Sequence, residues 1–202
     1  MNASHIHQVL SNLATKYRAF WSEADFQFAF AWELQKLCPM VNIHLERRVS
    51  LQTNCYVDIW VEKDNKIYPI ELKYKTKVAT IGGISLLNQS AVDFGCYDYL
   101  WDIYRLEQLL SQSQNFDNGF AIMLTNDAAY FKNTQRKSAY DAFKIFEEAI
   151  KQGHLSWGNT TKGTTFVYGK RNPFTLNGMY TMQWHDYNQG QDGFKYLINE
   201  VK

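Results

Sequence analysis

The chain has 202 residues, 46% of them hydrophobic, with 3 Pro and 11 Gly, which is enough apolar material for one ordinary core and excludes a collagenous or disordered chain. Lys and Arg number 21 against 20 Asp and Glu, a net charge of +1, so no global positive field draws the chain to nucleic acid and any basic surface is local. Cys38, Cys55 and Cys96 are odd in number, widely spaced and in no C-x-x-C arrangement, which excludes a disulfide framework and a zinc site of that kind and points to a reducing compartment.

From the start of the chain, Met1 to Phe20 carries Lys16 and Arg18 among short apolar runs. That pattern reads as neither a signal peptide nor a membrane span, and a cytoplasmic protein without membrane contact is expected. No repeat, low-complexity stretch or Pro/Gly/Ser linker divides the chain, so residues 1–202 are expected to form a single domain.

Ser22 to Leu37 places Phe26, Phe30, Leu34 and Leu37 at spacings of three and four, with Ser22 as N-cap and Pro39 as terminator, and predicts an amphipathic helix. Val41 to Val49, Cys55 to Val61 and Ile67 to Lys75 are alternating or β-branched, separated by short polar stretches, and predict three successive strands. Ile84 to Ser111 predicts a long helix bent near Gly95, and Gly119 to Thr125 a buried strand. Lys137 to Lys151, with Phe143, Ile145, Phe146 and Ile150, predicts a further helix, with Gly153 near its end as C-cap. Thr164 to Tyr168, Met179 to Trp184 and Phe194 to Val201 predict three short strands. The fold class expected is α/β, a central mixed β-sheet flanked by α-helices.

Charged residues stand in the second and third strands where a simple core strand has none. Asp58 lies in Tyr-Val-Asp-Ile-Trp, and Glu71 and Lys73 lie in Ile-Glu-Leu-Lys-Tyr with Leu72 on the opposite face. If the chain turns at Asp64-Asn65 as a two-residue hairpin, counting back along both strands sets Asp58 opposite Glu71 and Tyr56 opposite Lys73. Two carboxylates facing each other across an antiparallel pair, roughly 5 Å apart, repel unless a cation lies between them. Asp58 and Glu71, with waters completing the shell, are oxygen donors suited to Mg2+ or Mn2+. Lys73 on the same face is placed to hold or polarise a water. The structural alternative is that Asp58 guards an edge strand and Glu71 and Lys73 form a solvated face.

An acidic residue followed, after a gap, by E-x-K on the next strand resembles the signature of the PD-(D/E)XK nuclease superfamily, the restriction-endonuclease-like fold. Here the usual Pro before the Asp is Val57, and Asp58 and Glu71 are thirteen positions apart. The resemblance runs from about Ser22 to Thr125 and extends to Glu23, which stands where the family's first-helix glutamate stands, and to Gln89, which is similar to a glutamine that several branches place beside the site. It implies a metal-dependent nuclease hydrolysing phosphodiester bonds in DNA, with RNA as another possible substrate, in restriction, repair or phage defence. On this reading Asp58, Glu71, Lys73, Glu23 and Gln89 are catalytic and supporting residues, and Asp58, Glu71 and Leu72 hold the metal. For Glu23 the alternative is a charge complementing the helix dipole, and for Gln89 an ordinary helix-surface residue.

Arg47, Arg48, Lys75 and Lys77 are the local cations expected to meet nucleic acid, with Lys132, Arg136, Lys137, Lys170 and Arg171 as further candidates. Tyr97, Asp98, Asp102, Arg105 and Glu107 read as helix-surface pairs and packing residues. His5, His7, His44, His154 and His185 are scattered, and neither G-x-S-x-G nor H-E-x-x-H occurs. Double-strand cleavage makes a homodimer natural, although no heptad seam commits the chain to one. The alternative from another class is a catalytically silent module of the same fold that binds nucleic acid or a protein partner.

Overall fold

The computed structural model describes residues 1–50, 54–89, 91–134, 136–159 and 171–202. Helix α1 (Ala3–Ala14) was not expected from the sequence, yet its cause is legible there. Ile6, Val9, Leu10 and Leu13 fall on one buried stripe, and the Asn2 side chain caps the helix by accepting from the His5 N–H. Helix α2 (Glu23–Leu37) begins where expected, with Ser22 Oγ accepting from the Asp25 N–H, and buries Phe26, Phe30 and Leu34.

Strands β1 (Asn42–Ser50), β2 (Asn54–Lys63) and β3 (Lys66–Lys75) form an antiparallel meander. Asp64 and Asn65, at φ 51° and 60°, make the two-residue left-handed turn that matches strand twist, and so set the register Lys63–Lys66 through Ile59–Ile70. Strand β6 (Gly119–Thr125) then lies parallel to β3, which requires a crossover, supplied by helix α3 (Val92–Leu110). Strand β10 (Lys195–Val201) and the short β9 (Trp184–Asp186) complete a six-stranded mixed sheet in the order β1-β2-β3-β6-β10-β9.

Strand β6 is buried on both faces, and its alternation sorts the two cores. Phe120, Ile122 and Leu124 join Ile59, Val61, Ile70, Leu72 and Tyr74 beneath α1 and α2. Ala121 and Met123 join α3 and the hairpin of β7 (Ile150–Leu155) and β8 (Phe174–Thr181) on the other side. The structure is thus a mixed α/β fold, with a central mixed sheet flanked by helices.

Four expectations need correction. The segment from Ile84 is not helical: Gly82 and Gly83, at φ 57° and 83°, turn a small hairpin of β4 (Ala79–Ile81) and β5 (Ile84–Leu86), and α3 starts only at Val92. Lys137 to Lys151 holds one 3-10 turn, Asp141–Phe143, and the start of β7 instead of a helix. Its backbone partners are tertiary: the Glu147 N–H donates to Phe131 O, the Glu148 N–H to Met182 O, and Ala149 O accepts from Met182. Gly153, at φ 71°, sits in the bulge of β7 and caps no helix. The strand expected at Met179 to Trp184 is divided between β8 and β9, and Thr164 to Tyr168 lies outside the described residues. Among the described residues no helix is long and apolar enough to cross a membrane.

Candidate active site

The paired ladder of β2 and β3 ends at Ile59–Ile70, one position short of the expected Asp58–Glu71 pair. At this level β1 is also irregular, because Glu46 is held at φ 51° in mid-strand. The side-chain alternation of β2 changes there too: Val57 packs with Trp60 against Leu109 of α3, whereas Ile59 and Val61 belong to the α1–α2 core. Strand β3 therefore continues past Ile70 without β2 on that edge, and its N–H groups need other acceptors. Asp58 Oδ2 accepts from the Leu72 N–H at 2.6 Å, and Glu23 Oε2 accepts from the Tyr74 N–H at 2.7 Å. Tyr56, expected to face Lys73, is exposed, and its carbonyl accepts from Arg105.

Beside β6, Glu71 is level with Ala121 and Lys73 with Met123, on the face that α3 covers. From α3, Asp102 and Arg105 reach them. Lys73 Nζ lies 2.6 Å from Asp102 Oδ2 and donates to the Leu72 carbonyl at 3.1 Å. Arg105 Nη2 lies 2.9 Å from Glu71 Oε1, and Nη1 lies 3.4 Å from Asp102 Oδ1. Glu71 and Asp102 are 2% and 3% exposed, so three carboxylates share two cations in a nearly dry space.

The electrostatics follow from that crowding. Burial, reinforced by the charges of Asp102 and Glu23, pushes the Asp58 carboxyl up to about 6, against the pull of Lys73 and the Leu72 N–H. Burial, then Asp102 and Asp58, raise the Glu71 pKa well above the carboxylate range despite Arg105. Burial disfavours the Lys73 cation, but Asp102, Asp58 and Glu71 outweigh it and its pKa is raised.

Asp102 and Arg105 are thus part of the charge cluster, where the sequence suggests only helix-surface residues. They do pair at i,i+3, and the missed signal was that α3 is buried along this stretch, through Tyr99, Leu100, Ile103 and Leu106. Gln27 was also missed. One turn after Glu23 and almost fully buried, it donates from Nε2 to the Asp58 carbonyl at 2.6 Å and to Glu46 Oε1 at 2.9 Å. Glu107 serves the fold: its carboxylate accepts from the Asn177 and Gly178 N–H groups and the Tyr180 hydroxyl.

The other expected site residues are more dispersed. Gln89 is exposed and precedes α3 instead of lying on it, tied to β3 by its backbone N–H on the Thr76 carbonyl at 2.8 Å. Arg47 lies over the Trp60 ring, 4.6 Å from its centroid, and 3.5 Å from Glu62, which draws it along β2 away from Asp58. Arg48 is exposed on β1 opposite Tyr56. Lys75 and Lys77 continue from Lys73 past the end of β3, the first half-buried and the second exposed, with the Lys77 backbone held by the Asn126 side chain.

Among the described residues no three His, Cys, Asp or Glu side chains gather as a metal-binding group. Mg2+ asks for less, since it takes one or two carboxylates and keeps several waters. The Asp58 and Glu71 carboxylates with the Leu72 carbonyl fit it in donor chemistry, and the raised carboxyl pKa values mark a place short of positive charge. The cations now at these atoms are Arg105, on Glu71, and Lys73, on Leu72. The Arg105 Nε is buried without a hydrogen-bond partner among the described residues, so its hold on the site is incomplete. Comparison with family models, with curated proteins and with solved structures finds no match to this chain.

Proposed function

We propose that this chain is a metal-dependent nuclease of the PD-(D/E)XK type, with a restriction-endonuclease-like sheet, that hydrolyses phosphodiester bonds in DNA. The observation that carries this reading is the parting of β2 and β3 at Ile59–Ile70, which leaves Asp58 hydrogen-bonded to the Leu72 N–H within the Glu71–Leu72–Lys73 segment. A strand pair that continued its ladder would have no need of these charges. Asp58, Glu71 and the Leu72 carbonyl would hold Mg2+ or Mn2+, which would supply charge neutralisation at the phosphate and a more acidic water.

The chain's own groups have separate tasks. The raised pKa keeps Lys73 a cation at neutral pH, so it acts as a donor that orients water or meets phosphate charge, and not as a general base. Asp58 is fixed at both ends, its carboxylate by the Leu72 N–H and its carbonyl by Gln27. Glu23 secures α2 to β3 through the Tyr74 N–H. Arg105, with a guanidinium fork on the same face, is a donor for phosphate oxygens once released from Glu71.

The test is cleavage of linear, circular and single-stranded DNA and of RNA, with Mg2+, Mn2+ or EDTA. Asp58→Ala and Lys73→Ala are each expected to lose at least about 100-fold in rate. The second reading, a silent module, draws on the occupation of Glu71 and the Leu72 carbonyl by Arg105 and Lys73. No cutting of any substrate, with no rise in melting temperature on adding metal, would select it.

A further inference from the structure

We infer that the outward face of α2 is a contact surface between two copies of this chain, paired antiparallel about a two-fold axis midway between Phe28 and Trp32. The inference stands on this helix alone and does not depend on the nuclease reading.

Ala24, Phe28, Trp32 and Lys36 recur every fourth residue on the side of α2 away from Phe26, Phe30 and Leu34, and Trp21 and Met40 prolong the stripe past both ends. Trp21, Phe28, Trp32 and Met40 are 71%, 61%, 56% and 88% exposed. A solvated helix face carries charge at such positions, and this one has a single cation. Phe28 and Trp32 are already stacked, with centroids 6.3 Å apart and planes at 15°, and the Lys36 ammonium sits 5.4 Å from the Trp32 ring centroid. The platform is therefore flat and ordered before any partner arrives.

Stacked aromatics also suit nucleic-acid bases, but the surroundings do not supply the cations that a phosphate backbone requires. Of the described cations beside α2, Lys16 is paired with Glu33 at 2.6 Å and Arg18 with Asp192 at 2.5 Å. The stripe is instead complementary to itself. Reversed about its midpoint, Phe28 meets Trp32 of the second copy, Ala24 meets Lys36, and Trp21 meets the Pro39–Met40 end. Small then lies against long at the flanks and aromatic against aromatic at the centre. Charge agrees: the cation Lys36, at the C-terminal end of one helix, comes beside Asp25 in the acidic first turn of the other, and the helix dipoles run antiparallel. The four large side chains expose roughly 500 Å2, most of the about 800 Å2 per partner that a standard interface buries. The inner side of the same helix carries Glu23 and Gln27, so pairing would brace the element that holds them.

Sedimentation equilibrium of the full chain tests this. A concentration-dependent dimer is expected, with Phe28→Glu and Trp32→Glu each raising its dissociation constant at least about 30-fold. Far-UV circular dichroism should be unchanged, because both positions are exposed, and Trp32→Ala provides a milder variant with the same direction of effect. Mixed copies of Ala24→Cys and Lys36→Cys should form a disulfide with each other. Ala24→Cys alone should not, since its two copies lie about 18 Å apart along the helix axes. A chain that stays monomeric to about 100 μM, a dimer untouched by the Phe28 and Trp32 substitutions, or a disulfide between two Ala24→Cys copies would each overturn the proposal.

Discussion

Strands β3 and β6 lie side by side, parallel and in register, under the same helix, and they answer the same environment with opposite chemistry. Where β6 places Ala121 and Met123 against α3, β3 places Glu71 and Lys73 at the same levels. The apolar choice is the one that burial favours, since a buried ion network is seldom more stable than well-packed apolar side chains of similar volume. What makes the charges tolerable in β3 is local: Asp102 and Arg105 descend from α3 onto Lys73 and Glu71, and the open edge past Ile70 is stopped by Asp58 and Glu23. Met123 packs instead among the apolar side chains of the α3 core. At these two levels β3 therefore carries a charge network where β6 carries an apolar core.

The largest effect should come from making β6 imitate β3. Met123→Lys puts an ammonium among the apolar side chains of the α3 core, and is expected to lose more than about 4 kcal/mol by urea denaturation or to prevent folding. A stable Met123→Lys protein would show that this face is wetter than its burial implies. Next is Arg105→Met, which strands Glu71 with its main ion partner gone and should lose roughly 3–5 kcal/mol. Joining it with Glu71→Leu restores an apolar pair, and stability should return to within about 1–2 kcal/mol of the wild type, while the proposed cleavage, which needs the Glu71 carboxylate, should be lost. If the double variant is as unstable as the single one, the network is structural after all.

Glu23 separates the two roles at smaller scale. Glu23→Ala leaves the Tyr74 N–H without its carboxylate and should lose about 1–3 kcal/mol, whereas Glu23→Gln keeps an acceptor and should change stability by less than about 1 kcal/mol. A cleavage rate that falls equally in both variants assigns Glu23 to the chemistry. A rate preserved in Glu23→Gln assigns it to the join between α2 and β3.

These contrasts also explain what could be read from the residues alone. The meander, β6 and α2 were legible because their apolar periods are unambiguous and Ser22 and Asp64–Asn65 supply a cap and a turn with specific chemistry. Counting from that turn gives the register through Ile59–Ile70. The break in the ladder, the left-handed Glu46 and the arrival of Asp102 and Arg105 were not legible, because each depends on which helix covers which face of the sheet. The segment from Lys137 misled for a related reason: Phe143, Ile145, Phe146 and Ile150 are compatible with a helical period, but Phe131 and Met182 hold its backbone from outside. Similarly, the reading of α2 as simply amphipathic overlooked Phe28 and Trp32, whose exposure is visible only once the buried face is known.

The expected change at Asp58 is the most diagnostic, because its sign opposes the usual effect of mutation. In Asp58→Asn the side-chain carbonyl still accepts from the Leu72 N–H, while the desolvated charge is gone. The Asp58 pKa is raised on folding from 3.8 to about 6, so the native state holds the proton more tightly than the unfolded chain does, and ionisation destabilises the fold. The penalty sets in as pH rises from about 4, is complete above about 6, and is absent below about 4, where both states are protonated. Asp58→Asn should therefore be more stable than the wild type at pH 8, by about 1–2 kcal/mol after allowing for partial solvent screening, with the gain vanishing towards pH 4 in urea titrations. A gain in stability joined to a loss of cleavage means that Asp58 is retained against the interest of the fold. A loss of stability at pH 8 means instead that its charge is already balanced by Lys73, and that β3 and β6 differ less than their residues suggest.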